Sequence, residues 1–209
     1  MKVSNVFAAA VVMVLGAQVA RAQVPGLPFY PTPTGTGVMA SADYAHPGTS
    51  QTLYAIRGGA GFGPFGATAV VGQYKVTGLS TQTAYGASVA MKLFGGGLLP
   101  VSIAAQAGVG QVKTTITVPL LGSVSQTQTA IPVGAAIRAN VPLFPLKPFA
   151  VGYYVLGSHV KQEFRVSIGA DFNVFLGLGV HAAYDMGAAT GSAKSWGVGA
   201  HFNFRLPVM

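Results

Sequence analysis

Residues 161–206 read KQEFRVSIGADFNVFLGLGVHAAYDMGAATGSAKSWGVGAHFNFRL, and this stretch decides the fold because its side chains alternate with a period of two. Within three segments of it the even positions are all apolar: Phe164, Val166, Ile168, Ala170, Phe172, then Leu176, Leu178, Val180, Ala182, Tyr184, then Trp196, Val198, Ala200, Phe202, Phe204, Leu206. The odd positions of the same segments are polar, charged or glycine, except for Ala183. Since successive strand side chains point to opposite faces, the pattern predicts strands with one apolar and one polar face.

The first 22 residues are typical of a signal peptide. Lys2 precedes an apolar run, and Ala20-Arg21-Ala22 has the small residues of a cleavage site. We therefore expect an exported protein that is cleaved after Ala22, since the run is short for an uncleaved membrane anchor. Removal of Lys2 and Arg21 lowers the formal charge from +8 to about +6.

The composition favours a membrane barrel over a soluble domain or a helical bundle. The chain is 51% hydrophobic and only 8% charged, with a mean hydropathy of +0.52. Beyond the signal peptide, however, no run of about 18 apolar residues occurs, which argues against a helical span. A transmembrane barrel needs apolar residues only at every second position. The basic residues are scattered singly rather than clustered, which excludes a nucleic-acid patch, and the chain has 0 cysteines and so no disulfides.

The mature chain begins with a proline-rich leader, residues 23–37, that contains Pro25, Pro28, Pro31 and Pro33. Proline has no backbone N–H and cannot form a continuous ladder. We expect this leader to be an extended tether on the periplasmic side, with a polyproline recognition segment as the alternative.

Ten segments with strand character follow, and they predict an all-β, closed, antiparallel up-and-down barrel over residues 38–209. They are 38–45, 52–62, 68–77, 82–93, a segment from about Val101, a segment ending near Ala139, 149–156, and the three segments of the opening stretch. Residues 111–128 keep β-propensity but their apolar parity flips, which indicates a long hairpin rising above the membrane. An even count returns both ends to the periplasm; eight strands is the alternative if the first hairpin is mispaired.

Charge placement supports the membrane barrel. A charge facing lipid at mid-depth costs about 2–4 kcal/mol, so charges should face the lumen. The residues predicted to line the lumen are Asp43, Arg57, Lys75, Lys92, Arg138, Glu163, Arg165, Asp171, His181, Asp185, His201 and Arg205. Aromatic residues are predicted to form two girdles: Tyr44, Tyr54, Tyr74, Tyr85, Phe164, Tyr184 and Trp196 at one rim, and Phe62, Phe149, Phe172, Phe202 and Phe204 at the other.

With these features the chain resembles the small bacterial outer-membrane β-barrel proteins, the class that contains OmpX-like and OmpA-like barrels. In that class the last strand carries Gly-x-x-apolar-x-aromatic as an insertion signal, and Gly199, Phe202 and Phe204 stand at those spacings. The chain departs from the class by ending Leu206-Pro207-Val208-Met209 rather than on an aromatic residue. The resemblance implies a monomer in the outer membrane of a Gram-negative cell, in contact with lipid and inserted by the barrel-assembly machinery.

The lumen residues do not indicate an enzyme. His181 and His201 lie on neighbouring predicted strands and could share a metal, but a metal site needs three or four converging ligands. We expect a hydrogen-bonded interior network, with no catalytic residues, no metal and no cofactor. Three functions remain open: a structural or surface-interaction barrel, a narrow pore with a weak preference for anions, and a hydrolase at the outer rim.

Overall fold

The computed structural model describes Val24 and residues 26–48, 50–77, 81–96, 99–118, 122–140, 144–174 and 176–205. The expected signal peptide, its cleavage site and the last four residues lie outside this range. The described residues form ten strands: β1 (Gly37–His46), β2 (Gln51–Phe62), β3 (Phe65–Val76), β4 (Gln82–Gly96), β5 (Leu99–Val118), β6 (Gly122–Ala139), β7 (Leu146–Ser158), β8 (Glu163–Asn173), β9 (Leu178–Gly187) and β10 (Ser195–Arg205).

Each strand pairs with the next in antiparallel fashion, and β1 pairs with β10, so the sheet closes into a barrel of ten strands. The predicted fold class is therefore confirmed, with ten strands rather than eight. We call the end where β1 begins and β10 ends the proximal end, and the opposite end the distal end. Among the described residues no helix is long and apolar enough to cross a membrane.

Alternating burial along the strands separates an inner from an outer wall. In β2, for example, Leu53, Ala55 and Arg57 are buried whereas Tyr54 and Ile56 are exposed. The same division into inner and outer side chains holds on every strand, because directly paired residues of neighbouring strands point to the same side of a sheet. The outer wall is consequently rich in exposed apolar side chains, and the inner wall holds most of the buried polar ones.

The parity of β3 differs from the predicted one. Tyr74 and Val70 are buried on the inner wall, and Val71, Gln73 and Lys75 are exposed on the outer wall. The apolar run Ala69-Val70-Val71 fits either register, and the prediction took the wrong one. Phe149 of β7 likewise faces inward at 6% exposure and does not belong to the proximal girdle.

Strands β5 and β6 form the long hairpin predicted over 111–128. They pair with each other out to Val118 and Gly122, whereas β4 reaches β5 only at Val112 and β7 reaches β6 only at Thr129. The described end of this hairpin, residues 113–118 and 122–128, therefore extends distally beyond its neighbours and has unpaired backbone edges. We call it the hairpin extension.

The proline-rich leader does not hang outside the barrel. Val24, Leu27 and Phe29 are 0% exposed, and Tyr30 and Thr32 are 2% and 4% exposed. Gly35, with φ of +95°, reverses the chain at the proximal end, so that β1 rises beside the segment that has just descended. The prediction of a periplasmic tether was wrong for Val24 and residues 26–36, which lie inside the lumen.

Candidate functional site: the filled lumen

An ion-pair network joins β1, β2 and β9 about halfway along the lumen. Arg57 donates from Nη2 to Asp43 Oδ1 and from Nε to Ser41 Oγ, each at 3.2 Å. Nε2 of His181 lies 2.6 Å from the same Asp43 oxygen. These four side chains are at most 5% exposed, so the charge of each depends on its partners rather than on water.

A repeated Gly-x-His unit makes room for two histidines. Gly179 and His181 of β9 stand opposite His201 and Gly199 of β10, so each glycine faces the histidine of the other strand. A Cβ at Gly199 would lie 2.6 Å from His181 Nε2, and one at Gly179 would lie 2.5 Å from His201 Nε2. Both glycines are therefore required for the imidazoles to lie across the neighbouring strand.

The two imidazoles meet edge to edge. Their Nδ1 atoms are 3.1 Å apart while the ring centroids are 5.4 Å apart, with 23° between the ring planes. His181 Nε2 lies 2.6 Å from Asp43 Oδ1 and 3.2 Å from Arg57 Nη2, and a hydrogen bond between the two Nδ1 atoms needs a proton on one of them. His201 Nε2 is 3.4 Å from Asn173 Oδ1, which ends the chain of polar groups.

Three potential metal ligands lie close together in the same region. Donor atoms of Asp171, His181 and His201 are all within 4.8 Å of one another. The Asp171 carboxylate, however, pairs with Arg138 at 3.0 Å, and the two Nδ1 atoms point at each other. A tetrahedral metal needs lone pairs that converge on one point. The lone pairs of these groups are thus directed at Arg138 and at each other rather than at one common point.

A second ionic network lies nearer the distal end. Arg165 donates to Asp185 from Nε at 2.8 Å and also from Nη2, and to Glu163 from Nη1; the hydroxyl of Tyr153 donates to Asp185. Arg165 is 1% exposed and Asp185 is 0% exposed. Arg165 Nη2 also donates to the carbonyl of Ala193 at 3.0 Å, which ties the β9–β10 loop to the lumen wall.

The N-terminal segment passes down the lumen between these networks, and we call Val24 with residues 26–36 the lumen segment. Its residues meet the wall at successively more proximal levels: Gly26 at Pro47, Phe29 at Tyr153, Tyr30 at His181, Thr32 at Ser88, and Gly35 at Gly63. At about 3.1 Å per residue, an extended chain from Gly26 to Gly35 spans roughly 30 Å. The segment therefore runs along the barrel axis rather than across it.

Aromatic contacts anchor the segment. The rings of Phe29 and Tyr153 meet edge to face at 4.9 Å, and Tyr30 packs against Phe149 at 6.1 Å. The guanidinium carbon of Arg57 lies 4.3 Å from the centre of the Tyr30 ring, a cation–π geometry. Full burial of one such side chain contributes about 1.5–3 kcal/mol.

Few polar groups of the segment need partners, because prolines recur along it. Thr32 stands between Pro31 and Pro33; its N–H donates to Gln106 Oε1 at 3.2 Å and its hydroxyl is 2.6 Å from Ser88 Oγ. Proline has no N–H to satisfy, so a proline-rich chain suits a lumen where it forms no ladder.

The wall is shaped to the segment by glycines. A Cβ at Gly59 would lie 3.1 Å from Pro33, and one at Gly197 would lie 3.0 Å from Pro28. A Cβ at Gly61 would overlap the carbonyl of Gly35, and one at Gly66 would overlap that of Pro33. These glycines form a groove that larger side chains would close.

The structure positions the predicted lumen residues as follows. Buried on the inner wall are Asp43, Arg57, Glu163, Arg165, His181, Asp185 and His201; half-buried on the inner wall are Lys92, Arg138 and Asp171; Lys75 is exposed on the outer wall; the side chain of Arg205 lies outside the described residues. Lys75 was therefore assigned to the wrong wall, because the parity of β3 was. Gly199, Phe202 and Phe204 of the expected insertion signal all lie in β10.

Sequence reasoning missed the lumen segment. The signal was present: residues 24–30 read VPGLPFY, which is too apolar for a tether in water.

No protein-family model matches the chain, and no curated protein sequence matches it. Among solved structures, it is similar to the β domain of the Bordetella autotransporter BrkA, with 14% identity and a TM-score of 0.49 over 82% of this chain and 100% of that one. It is also similar to the KdgM porin, with 12% identity and a TM-score of 0.47 over 79% of this chain and 99% of that one. A third similar structure is the N-terminal β-barrel domain of Pseudomonas aeruginosa OprF, with 13% identity and a TM-score of 0.46 over 81% of this chain and 98% of that one.

Proposed function

We propose that this protein is a monomeric outer-membrane β-barrel of a Gram-negative cell, exported by a signal peptide cleaved after Ala22, with a structural or surface-interaction role. The observation that carries the proposal is the outer wall. It exposes large apolar side chains such as Ile56 at 67% and Leu93 at 58%, which water would not tolerate over so wide an area. Lipid would cover them.

Charge on the outer wall fits the same environment. Two charged side chains lie on the outer wall among the described side chains of the strands. Lys75 lies near the distal end of β3, and Lys113 lies in the hairpin extension. Both lie where headgroups and water would begin. Between the ends, the outer wall of the described strands has no formal charge, as lipid requires.

Aromatic residues on the outer wall flank this uncharged zone. The distal ones are Tyr44, Tyr54, Tyr85, Tyr154, Phe164, Tyr184 and Trp196, and the proximal ones are Phe62, Phe65, Phe94, Phe172, Phe202 and Phe204. The amphipathic Tyr and Trp rings favour the interface with lipid headgroups. The distal end then faces outward from the cell and the proximal end faces the periplasm.

A closed lumen supports a structural or surface role over catalysis. The carboxylates that could suggest a rim hydrolase are each bound to an arginine: Asp43 to Arg57, and Glu163 and Asp185 to Arg165. The hairpin extension supplies a surface for contact, since its unpaired edges and the exposed side chains of Lys113, Ser125 and Thr127 would face the medium.

The single tryptophan of the chain allows a direct test. Trp196 is 42% exposed on the outer wall at the distal girdle. In vesicles, lipids brominated near the headgroup should quench its fluorescence more strongly than lipids brominated at the chain ends. Equal or absent quenching by both would contradict the proposed membrane placement.

Protease added to intact cells should cut within residues 113–128 and leave the barrel intact; protection of the extension would contradict the orientation.

A further inference from the structure

We propose that the lumen segment is a removable plug, and that the barrel is a channel for ions and small hydrophilic solutes that this plug keeps shut. The inference begins with the width of the barrel. Eight strands enclose a lumen that side chains alone can fill, and the diameter grows with strand number. Here ten strands enclose a wider space, and an extended chain occupies it.

The segment seals this space. Leu27 and Phe29 have no surface exposed to water, and neither do Val151 and Val155 on the wall of β7. A continuous water-filled passage beside the segment would expose both surfaces. The full chain should therefore pass few ions.

The wall does not depend on the segment for its hydrogen bonds. All ten strand pairs, including β1 with β10, close without it. The described polar contacts between segment and wall are the two made by Thr32 and one from Gly35 N–H to the carbonyl of Gly63 at 2.9 Å. Packing holds most of the segment in place, so it can leave while the barrel stays closed.

The passage left behind would have an apolar side, formed by residues such as Val151 and Val155, and a polar side, and its net charge would be close to zero. The wall that Thr32 touches has the side chains of Ser88, Thr68 and Gln106, and the opposite wall has paired charges. Because the described lumen arginines are paired with carboxylates, we expect weak ion selectivity in the open state.

Planar-bilayer recordings test the proposal with three proteins: the full chain, a variant lacking residues 24–33, and the double variant Thr32→Cys/Ser88→Cys. The full chain should be silent or open briefly and rarely. The deletion variant, if its barrel is shown to be closed by heat-modifiable migration, should give long-lived steps of constant size. Silence in a folded deletion variant would overturn the proposal, as would steps of equal size and duration in the full chain.

The cysteine pair separates movement of the segment from other gating. The Thr32 and Ser88 hydroxyls are 2.6 Å apart, and the chain has 0 native cysteines. Oxidation should lock the segment and abolish the residual openings, and reduction should restore them. The matched control is Thr68→Cys/Ser88→Cys, which carries the same Ser88 change but joins β3 to β4 across a 2.6 Å contact and leaves the segment unlinked, so its openings should be the same before and after oxidation. Equal silencing of both pairs by oxidation would overturn the proposal.

If the deletion variant does not fold, Phe29→Ala/Tyr30→Ala decides the question. Loss of both ring contacts should raise the open probability at least tenfold over the full chain, whereas an unchanged open probability would overturn the proposal. Ion selectivity in a salt gradient gives an independent readout of the passage, which should have a reversal potential near zero.

Discussion

Replacement of Arg165 by Met should destabilise the folded barrel by about 3–5 kcal/mol, because it leaves buried carboxylates without their cation. Arg165 and Asp185 are 1% and 0% exposed in their side chains, and Glu163 is 8% exposed. After the substitution, Asp185 would retain the hydroxyl of Tyr153 but lose both guanidinium contacts. The methionine fills similar volume, so the loss reports charge rather than a cavity.

The matched control is Arg138→Met. Arg138 pairs with Asp171 at 3.0 Å, but their side chains are 25% and 18% exposed, so water can replace part of the interaction. We expect a loss of about 1 kcal/mol there, as is usual for accessible pairs. The free energy of unfolding is measured by denaturant titration in lipid vesicles, followed by Trp196 fluorescence. A loss at Arg165 no greater than that at Arg138 would refute the reasoning.

A compensating variant separates charge burial from overall disruption. When Arg165→Met is combined with Asp185→Asn and Glu163→Gln, no uncompensated buried charge remains in the distal network, and only the half-exposed Lys161 loses its partner, Glu163. Part of the lost stability should return, since replacing every partner costs less than removing one. Further loss in the triple variant would mean that packing rather than electrostatics dominates at this site.

Four other substitutions test the wall with the same unfolding assay. Gly199→Val should cost about 1–3 kcal/mol because its Cβ would lie 2.6 Å from the neighbouring imidazole; Gly58→Val, with nothing within 4 Å, should be nearly neutral. Tyr153→Phe should cost about 1.5–3 kcal/mol by removing a hydrogen bond to the Asp185 carboxylate. Val71→Lys should cost about 2–4 kcal/mol if the outer wall faces hydrocarbon, and a neutral result would place that wall in water.

The strands could be predicted from sequence because their signal is local. Alternation along β8, β9 and β10 depends on one environment per face, and a single charged residue such as Asp171 or Asp185 fixes the parity of its whole strand. β3 lacked that certainty: Ala69-Val70-Val71 is apolar at every position, and Lys75 lies near the distal end, where the outer wall again tolerates charge. The sequence therefore predicted the position of β3 correctly but assigned the wrong face of this strand to the lumen.

The pairings within the lumen could not be predicted, because they depend on which inward residues reach the same depth. His181 and His201 were expected on neighbouring strands, yet their edge-to-edge contact depends on the opposed Gly199 and Gly179, which only the register reveals. The ion pair of Arg57 with Asp43 crosses from β2 to β1 in the same way.

The inward glycines link the barrel to the segment inside it. In a narrow barrel they would relieve crowding between opposite walls. In this wider barrel Gly59, Gly61, Gly66 and Gly197 instead face the lumen segment, and a methyl group at any of them would press on or overlap it. A wall lined by glycine residues leaves space in the lumen, and protein interiors are packed too densely for such space to stay empty. An apolar segment that belongs to no strand, such as VPGLPFY at residues 24–30, can fill this space. The inward glycines and this segment together predict a filled barrel, whereas neither feature predicts it alone.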